Sequence, residues 1–261
     1  MFSLRSAARA LLSLAAIALA NHSPFAHAAD EVAGMSQERM ARIAPVMNEQ
    51  IANEIFPGAV TLIARGGQVV HFEAHGFLDA GKTKPMTRDA IFRLASMTKP
   101  IVSVAAIMLI EQGAMKLNDP IVTWLPELKD LKVETQKTDK DGNVTTEDVP
   151  LHRPIWVQDL LRHTAGFVYA RSTKSPRIAE MYKKANIEAT ETDIPGDAML
   201  KALGTIPLAH QPGTFWEYSI AVDVLGLLLD RVAKKPLDQL LTELLFDPLG
   251  MKDTAFWVPK E

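Results

Sequence analysis

A serine and a lysine stand three residues apart in the segment Ser96-Met97-Thr98-Lys99. Residues at positions i and i+3 lie on one face of a helix, so Ser96 Oγ and Lys99 Nζ can meet. A serine hydroxyl is a weak nucleophile until a base takes its proton, and a desolvated lysine can assist that step. The pair therefore predicts acyl transfer through Ser96. The alternative interpretation is a helix start, with Ser96 or Thr98 as N-terminal cap and Pro100 in the first turn.

A second candidate group is the Tyr218 hydroxyl, in a segment rich in aromatic residues. A phenol is protonated at neutral pH, but a nearby ammonium favours the phenolate. A tyrosine beside Lys99 can therefore take the proton of Ser96 and later pass it to the leaving group. The alternative is that Tyr218 is an aromatic side chain packed in the core.

Periodicity and turn signals predict the elements that position these residues. The segment 101–110 is apolar on every side, which predicts a buried helix packed all round and ended by Gly113. Two strands, 59–65 and 68–76, are predicted around a Gly-Gly turn. A polar segment centred on Asp-Gly predicts an exposed hairpin. The remaining predicted helices are 37–54 (with a kink or later start at Pro45), 157–163, 197–203, 221–233 and 237–246.

Composition excludes several classes of function. The formal net charge of −3 over 261 residues is too mild to indicate nucleic acid or an anionic membrane as partner. The chain has no cysteine, which excludes a thiol nucleophile and a thiolate zinc site. His71 and His75 are the close histidine pair after residue 28, and no acidic third ligand is evident beside them. We therefore expect no metal and no cofactor.

Residues 1–28 have the layout of a secretory signal peptide. Arg5 and Arg9 precede an apolar stretch at 10–20, and Ala26-His27-Ala28 forms a small-x-small cleavage site. The apolar stretch is too short to span a bilayer, so we expect no stable membrane anchor. The prediction is cleavage after Ala28, a mature domain at 29–261, and a periplasmic or secreted protein.

Four segments, in this order, resemble the serine β-lactamase-related superfamily, which includes class C β-lactamases, D-alanyl-D-alanine carboxypeptidases and family VIII carboxylesterases. They are Ala95–Lys99, Leu160–Phe167, Pro212–Ser219 and Asp247–Met251. The resemblance runs from about Pro57 to the end of the sequence. It implies an α+β fold in which an antiparallel sheet is flanked by helices and joined to a mostly helical lobe.

The same resemblance implies roles for individual residues. Ser96 is the acyl-accepting nucleophile, Lys99 its activating partner, and Tyr218 the general base. The segment around His163 is mostly structural in this family. Phe167, Phe215 and Trp216 can wall an apolar acyl pocket, although we expect at least two of these three to pack in the core.

The sequence departs from the β-lactamase pattern in two places. Ile220 stands where those enzymes carry an asparagine that binds the substrate amide, and an isoleucine side chain can neither donate nor accept there. In the family that this sequence resembles, a Lys-Thr-Gly or His-x-Gly strand provides one of two backbone N–H donors for the oxyanion, and the Ser96 N–H is the other. No such motif follows Met251. We therefore expect C-terminal strands of the sheet to be missing, which would leave part of the hairpin and of the 101–110 helix uncovered and the activity impaired.

The favoured function is an exported serine hydrolase that cleaves small carboxylic esters through a Ser96 acyl-enzyme activated by Lys99 and Tyr218. The partner is a small-molecule ester or amide substrate. One alternative keeps the fold and takes a β-lactam or D-Ala-D-Ala peptide. Another is a catalytically impaired truncated member or a non-catalytic binder. A Ser-His-Asp hydrolase of the α/β type is disfavoured because the chain has no G-x-S-x-G segment.

Overall fold

The computed structural model describes residues 31–138, 140–187 and 194–257. The predicted signal peptide at 1–28 lies outside the described residues. The chain divides into two compact units, Met1–Phe92 and Arg93–Glu261. No helix among the described residues is long and apolar enough to cross a bilayer.

From residue 31 onwards, the first unit contains two helices and two small hairpins. Its elements are β1 (Glu31–Val32), β2 (Met35–Ser36), α1 (Gln37–Met40), α2 (Ile43–Ala52), β3 (Gly58–Arg65) and β4 (Gln68–Gly76). The single helix predicted over 37–54 is interrupted, and α2 begins two residues before Pro45. Proline is tolerated in the first turn of a helix because the N–H it lacks has no partner there. A later start was the right alternative, but the break precedes Pro45 and the second helix begins at Ile43.

The predicted hairpin at 59–76 is confirmed. Strands β3 and β4 pair antiparallel, and the register sets Thr61 opposite Glu73. Gly66 and Gly67 adopt φ angles of 58° and 79°, which place both residues in the left-handed region that a tight hairpin turn requires. The pairing holds successive side chains of β4 on alternate faces of the hairpin.

The second unit is mostly helical. It contains a 3₁₀ turn at Ala95–Met97, α3 (Thr98–Glu111), β5 (Lys132–Thr138), β6 (Val144–Pro150), α4 (Val157–Leu161), α5 (Pro176–Lys184), α6 (Gly196–Leu203), α7 (Ala221–Ala233), α8 (Leu237–Leu241) and α9 (Asp247–Leu249). The hairpin β5–β6 and helix α7 confirm the predictions. Helix α5 was not predicted, because its segment is mostly polar and only Ile178 and Tyr182 are buried.

Helix α3 has one buried face and one exposed face. Ala105 and Ala106 are completely buried, and α3 packs against α7. On the other side, Val104 and Ile107 are 48% and 42% exposed. A purely apolar segment cannot indicate which of its sides is covered. The prediction that this helix is packed all round is therefore wrong for the described residues.

The fold class is α+β, as predicted. Within the part of the chain that the structure describes, the strands form three separate two-stranded antiparallel sheets. Between residues 151 and 187 and between 194 and 257 no strand forms. The core of the second unit is built from α3 and α7 with the loop segments around Leu125 and Phe167. The candidate residues Ser96, Lys99 and Tyr218 lie on segments that border this core.

Candidate active site

Ser96 and Tyr218, which are 122 residues apart in the sequence, form a hydrogen bond of 2.6 Å between Ser96 Oγ and Tyr218 Oη. Ser96 lies in the 3₁₀ turn immediately before α3, and its side chain is exposed. Tyr218 lies in the loop that leads into α7. The two side chains are therefore within proton-transfer distance at the protein surface.

The backbone before Ser96 is strained. Ala95 has a φ angle of 45°, in the left-handed region that a residue with a Cβ seldom adopts. Such conformations persist where the surrounding structure imposes them, and they cluster at functional sites. Here the strained residue produces a sharp turn directly before the serine. Nothing in the sequence predicted this conformation.

Lys99, in the first turn of α3, is held by two tyrosines. Its ammonium donates a hydrogen bond to Tyr169 Oη at 3.2 Å and lies 4.9 Å from the centre of the Tyr218 ring. Burial acts to lower the pKa of Lys99, but hydrogen bonds to Tyr218 and Tyr169 and the nearby Asp223 outweigh it, so the pKa is raised. A raised pKa favours the ammonium form, in which Lys99 can assist Tyr218 through its charge.

The pKa of Tyr218 is shifted in the opposite direction. Burial acts to raise it, but the hydrogen bonds with Ser96 and Lys99, together with the charge of Lys99, lower the pKa below the ordinary tyrosine value. A lowered pKa makes the phenolate more accessible at neutral pH. The arrangement thus allows Tyr218 to accept the proton of Ser96 while Lys99 stabilises the resulting negative charge.

Sequence reasoning missed two residues of this site. Tyr169 is 3% exposed and follows the predicted structural segment Leu160–Phe167 by two residues. Asp223 lies in the first turn of α7, where burial raises the pKa of its carboxyl and the charge of Lys99 opposes that rise. The available signal was an acidic residue within an otherwise apolar helix start, since such a residue is seldom buried without a function.

His163 holds the loop that carries Tyr218. Its Nδ1 accepts a hydrogen bond from the Ser219 N–H at 3.2 Å, and its carbonyl oxygen accepts one from the Glu217 N–H at 3.0 Å. These bonds fix the residues on both sides of Tyr218. Burial, and secondarily the charge of Lys99, lower the pKa of His163. The imidazole is therefore neutral at physiological pH and serves as an acceptor in this loop.

Gly166 permits a close approach between this loop and the segment after residue 208. Its φ angle is 90°, and a Cβ at this position would lie 2.2 Å from the carbonyl oxygen of His210. The Gly166 carbonyl accepts a hydrogen bond from the Ala209 N–H at 2.9 Å. Only glycine fits this conformation and spacing. The glycine of the predicted motif therefore positions the two segments that support Tyr218.

Phe167 and Ile220 are buried, whereas Phe215 and Trp216 are exposed. Phe167 is 2% exposed and packs in the core, whereas Phe215 and Trp216 are 54% and 62% exposed. The expectation that at least two of these three pack in the core is therefore wrong. Ile220 is completely buried at the start of α7. The position of the β-lactamase asparagine is thus occupied by a core side chain.

The first unit contains a separate cluster of metal-ligating side chains. His71, Glu73 and His75 offer donor atoms that all lie within 4.8 Å of one another. The expectation that no acidic third ligand accompanies the histidine pair is wrong. Residues i, i+2 and i+4 of a strand share one face, so Glu73 lies between the two histidines.

Comparisons with known proteins place this chain in a family. The family model described as Beta-lactamase matches residues 40–261. A protein of Mycobacterium tuberculosis is 37% identical over 204 residues, covering 78% of this chain and 48% of that protein. Esterase EstB of Burkholderia gladioli is 33% identical over 217 residues, covering 83% of this chain and 51% of EstB.

Among solved structures, EstCE1, titled a hydrolase with promiscuous acyltransferase activity, superposes with a TM-score of 0.71 at 32% identity. The match covers 85% of this chain and 54% of EstCE1. The chain thus spans about half the length of the relatives it matches. On the family match and the shared fold, this chain belongs to the Beta-lactamase family, within the serine β-lactamase and transpeptidase superfamily.

Proposed function

We propose that this protein is an exported serine hydrolase that cleaves small carboxylic esters through a covalent acyl-enzyme on Ser96. The observation that carries the proposal is the 2.6 Å contact between Ser96 Oγ and Tyr218 Oη beside the Lys99 ammonium. A nucleophile within hydrogen-bond reach of a base, with a third group holding that base, is the arrangement covalent catalysis requires.

In the first half-reaction, Tyr218 in its phenolate form accepts the proton of Ser96 as Oγ bonds to the ester carbonyl carbon. The carbonyl oxygen becomes the oxyanion of a tetrahedral intermediate. When this intermediate collapses, the bond to the alcohol oxygen breaks, and Tyr218 passes the proton to that oxygen. The products are the free alcohol and an ester between the acyl group and Ser96.

In the second half-reaction, the same groups act on water. Tyr218 accepts a proton from the water molecule as its oxygen attacks the acyl carbon. Collapse of the second tetrahedral intermediate breaks the bond to Ser96 Oγ, which regains its proton from Tyr218. The carboxylic acid leaves, and the enzyme is restored. Lys99 remains cationic in both steps and stabilises the phenolate electrostatically.

The preference for esters is supported by Ile220 and by the relatives. A completely buried isoleucine stands where a β-lactamase needs an amide-binding asparagine, so the loop offers no side-chain partner for a substrate amide. Exposed Phe215 and Trp216 lie in the same loop as Tyr218 and provide apolar surface for an acyl or alkyl group. EstB, by its name, is an esterase.

Export is the second part of the proposal. It rests on the signal-peptide layout of residues 1–28, in which Arg5 and Arg9 precede an apolar stretch and a small-x-small site. The absence of cysteine is compatible with an oxidising compartment, because the fold does not depend on keeping thiols reduced. N-terminal sequencing of the protein recovered from a periplasmic extract would give Ala29 as first residue if cleavage follows Ala28.

A comparison of substrates tests the ester assignment. We expect kcat/KM of the 261-residue chain to be higher for p-nitrophenyl butyrate than for a chromogenic cephalosporin. Ser96→Ala should reduce both rates to the uncatalysed background, which shows that the same site is measured. A higher kcat/KM for the cephalosporin would instead assign the protein to the β-lactamase branch.

A further inference from the structure

Strand β4 presents three metal-ligating side chains on one face. His71, Glu73 and His75 alternate with Phe72 and Ala74, so the hairpin pairing holds all three on the same side. The two imidazoles are each 4% exposed, whereas the Glu73 side chain is 46% exposed. Two ligands are thus fixed by burial, and the third is open to solvent.

The distances within this cluster suit a single small cation. The Glu73 carboxylate lies 4.0 Å from His71 Nδ1 and 3.8 Å from His75 Nε2. Ligands on a tetrahedral zinc ion, with bonds of about 2.0–2.1 Å, are separated by roughly 3.3 Å. All three donor atoms lie within 4.8 Å of one another, and rotation of the exposed Glu73 side chain can bring its carboxylate closer to the imidazoles while the backbone stays in its register.

Thr61 supplies an outer partner from the neighbouring strand. It pairs with Glu73 across the hairpin, and its Oγ1 lies 2.7 Å from His71 Nε2 and 3.1 Å from His75 Nε2. Histidines that bind metals almost always use the second ring nitrogen for a hydrogen bond, which fixes the orientation of the ring. The bond between His71 Nε2 and Thr61 leaves His71 Nδ1 directed towards Glu73. At His75 the nitrogen beside Thr61 is also the one that faces Glu73, so a metal ion would replace that second contact.

We propose that His71, Glu73 and His75 form a binding site for one divalent late transition-metal ion, zinc in particular. Two imidazoles and one carboxylate match the ligand preference of zinc, and the exposed side of Glu73 leaves a fourth position for water. The site lies within the first unit. Its consequence is a metal-stabilised hairpin, because metal bound by the folded state stabilises that state.

Titration of the full chain with zinc, in competition with a chromophoric chelator and without a polyhistidine tag, tests this site. We expect saturable binding of one zinc ion per chain. Glu73→Gln and His75→Gln should each weaken the affinity at least tenfold. Thr61→Val, which removes the outer hydrogen bond on His71 Nε2 but no ligand, should weaken it by roughly 10- to 100-fold.

The matched control is His152→Gln, which removes an exposed histidine outside the cluster and should leave zinc affinity unchanged. The melting temperature, measured with zinc and then with a chelator in excess, should differ for the native chain and not for Glu73→Gln. No saturable binding by the native chain, or equal binding by all variants, would overturn the proposal. If His75→Gln does not fold, the zinc affinity of Glu73→Gln, compared with that of the native chain, decides the result, because the Glu73 side chain is exposed to solvent.

Discussion

Lys99 and Tyr169 are joined by a hydrogen bond of 3.2 Å that connects the candidate active site to the core. Tyr169 is almost completely buried, so its hydroxyl has a fixed position. The bond therefore holds the Lys99 ammonium beside the Tyr218 ring. Tyr169 acts on the reaction through Lys99 and is a positioning residue in this account.

Tyr169→Phe should lower kcat for ester hydrolysis by roughly 10- to 100-fold, because a misplaced ammonium stabilises the phenolate of Tyr218 less well. KM should change little, since the lost interaction matters mainly in the transition state. Steady-state kinetics with p-nitrophenyl butyrate measure both constants. Tyr182→Phe, at a second buried tyrosine, is the control and should leave kcat unchanged. Equal losses in both variants would indicate a general packing effect.

Lys99 and Tyr218 should act as a unit. Lys99→Met and Tyr218→Phe should each lower turnover by roughly 10²–10⁴-fold, the usual contribution of a positioned proton-transfer group, because Tyr218 transfers the proton and its phenolate depends on the charge of Lys99. The double variant should lose little more than either single variant, because groups that act together are not additive. A double-mutant cycle in kcat/KM gives this coupling. Losses that multiply fully would show that the two residues act independently.

The rate of Ser96 acylation should rise with pH along a single limb. The reactive form needs the Tyr218 phenolate, and the pKa of Tyr218 is lowered, so the midpoint should lie below the ordinary value of about 10. Lys99 keeps its charge over this range because its pKa is raised, and His163 is neutral because its pKa is lowered.

Removing the cation should shift this profile in a defined direction. In Lys99→Met the midpoint should move to higher pH, because the positive charge that favours the phenolate is lost. The measurement is the rate of labelling by a fluorophosphonate probe as a function of pH, corrected for probe hydrolysis. A profile unaffected by Lys99→Met would contradict the electrostatic role of that residue.

Ile220→Asn should unfold the protein more easily and should not create β-lactamase activity. Ile220 is completely buried, so the substitution removes an apolar side chain and leaves an amide without partners. We expect a loss of about 3 kcal/mol or more in the free energy of unfolding, measured in urea. Ile220→Val is the matched control, with an expected loss of about 0.5–1.5 kcal/mol. A stable Ile220→Asn that hydrolyses a cephalosporin would place this side chain in the active site instead.

The sequence predicted those features that depend on neighbouring residues. The β3–β4 hairpin follows from two β-rich segments around Gly66-Gly67, and α7 follows from its apolar spacing at 221–233. The contact between Ser96 and Tyr218 was expected from the family resemblance alone, since no local pattern relates residues that far apart.

The features that the sequence did not predict depend on tertiary packing. The exposed side of α3 is set by which neighbours cover it, and the inward direction of Ile220 is set by the start of α7. The raised pKa of Lys99 depends on hydrogen bonds with Tyr218 and Tyr169, and no spacing rule connects either residue to it. The position of Glu73 could have been predicted from the sequence, because the two-residue period of a strand already places it on the same face as His71 and His75.

Labelling by a fluorophosphonate probe is the most direct test of whether Ser96 is the nucleophile. The purified 261-residue chain is treated with the probe, digested, and mapped by mass spectrometry. We expect covalent label on Ser96, no label in Ser96→Ala, and slow labelling in Tyr218→Phe. Label on Ser103 or Ser219, label that persists in Ser96→Ala, or a native chain that takes up no label would contradict it.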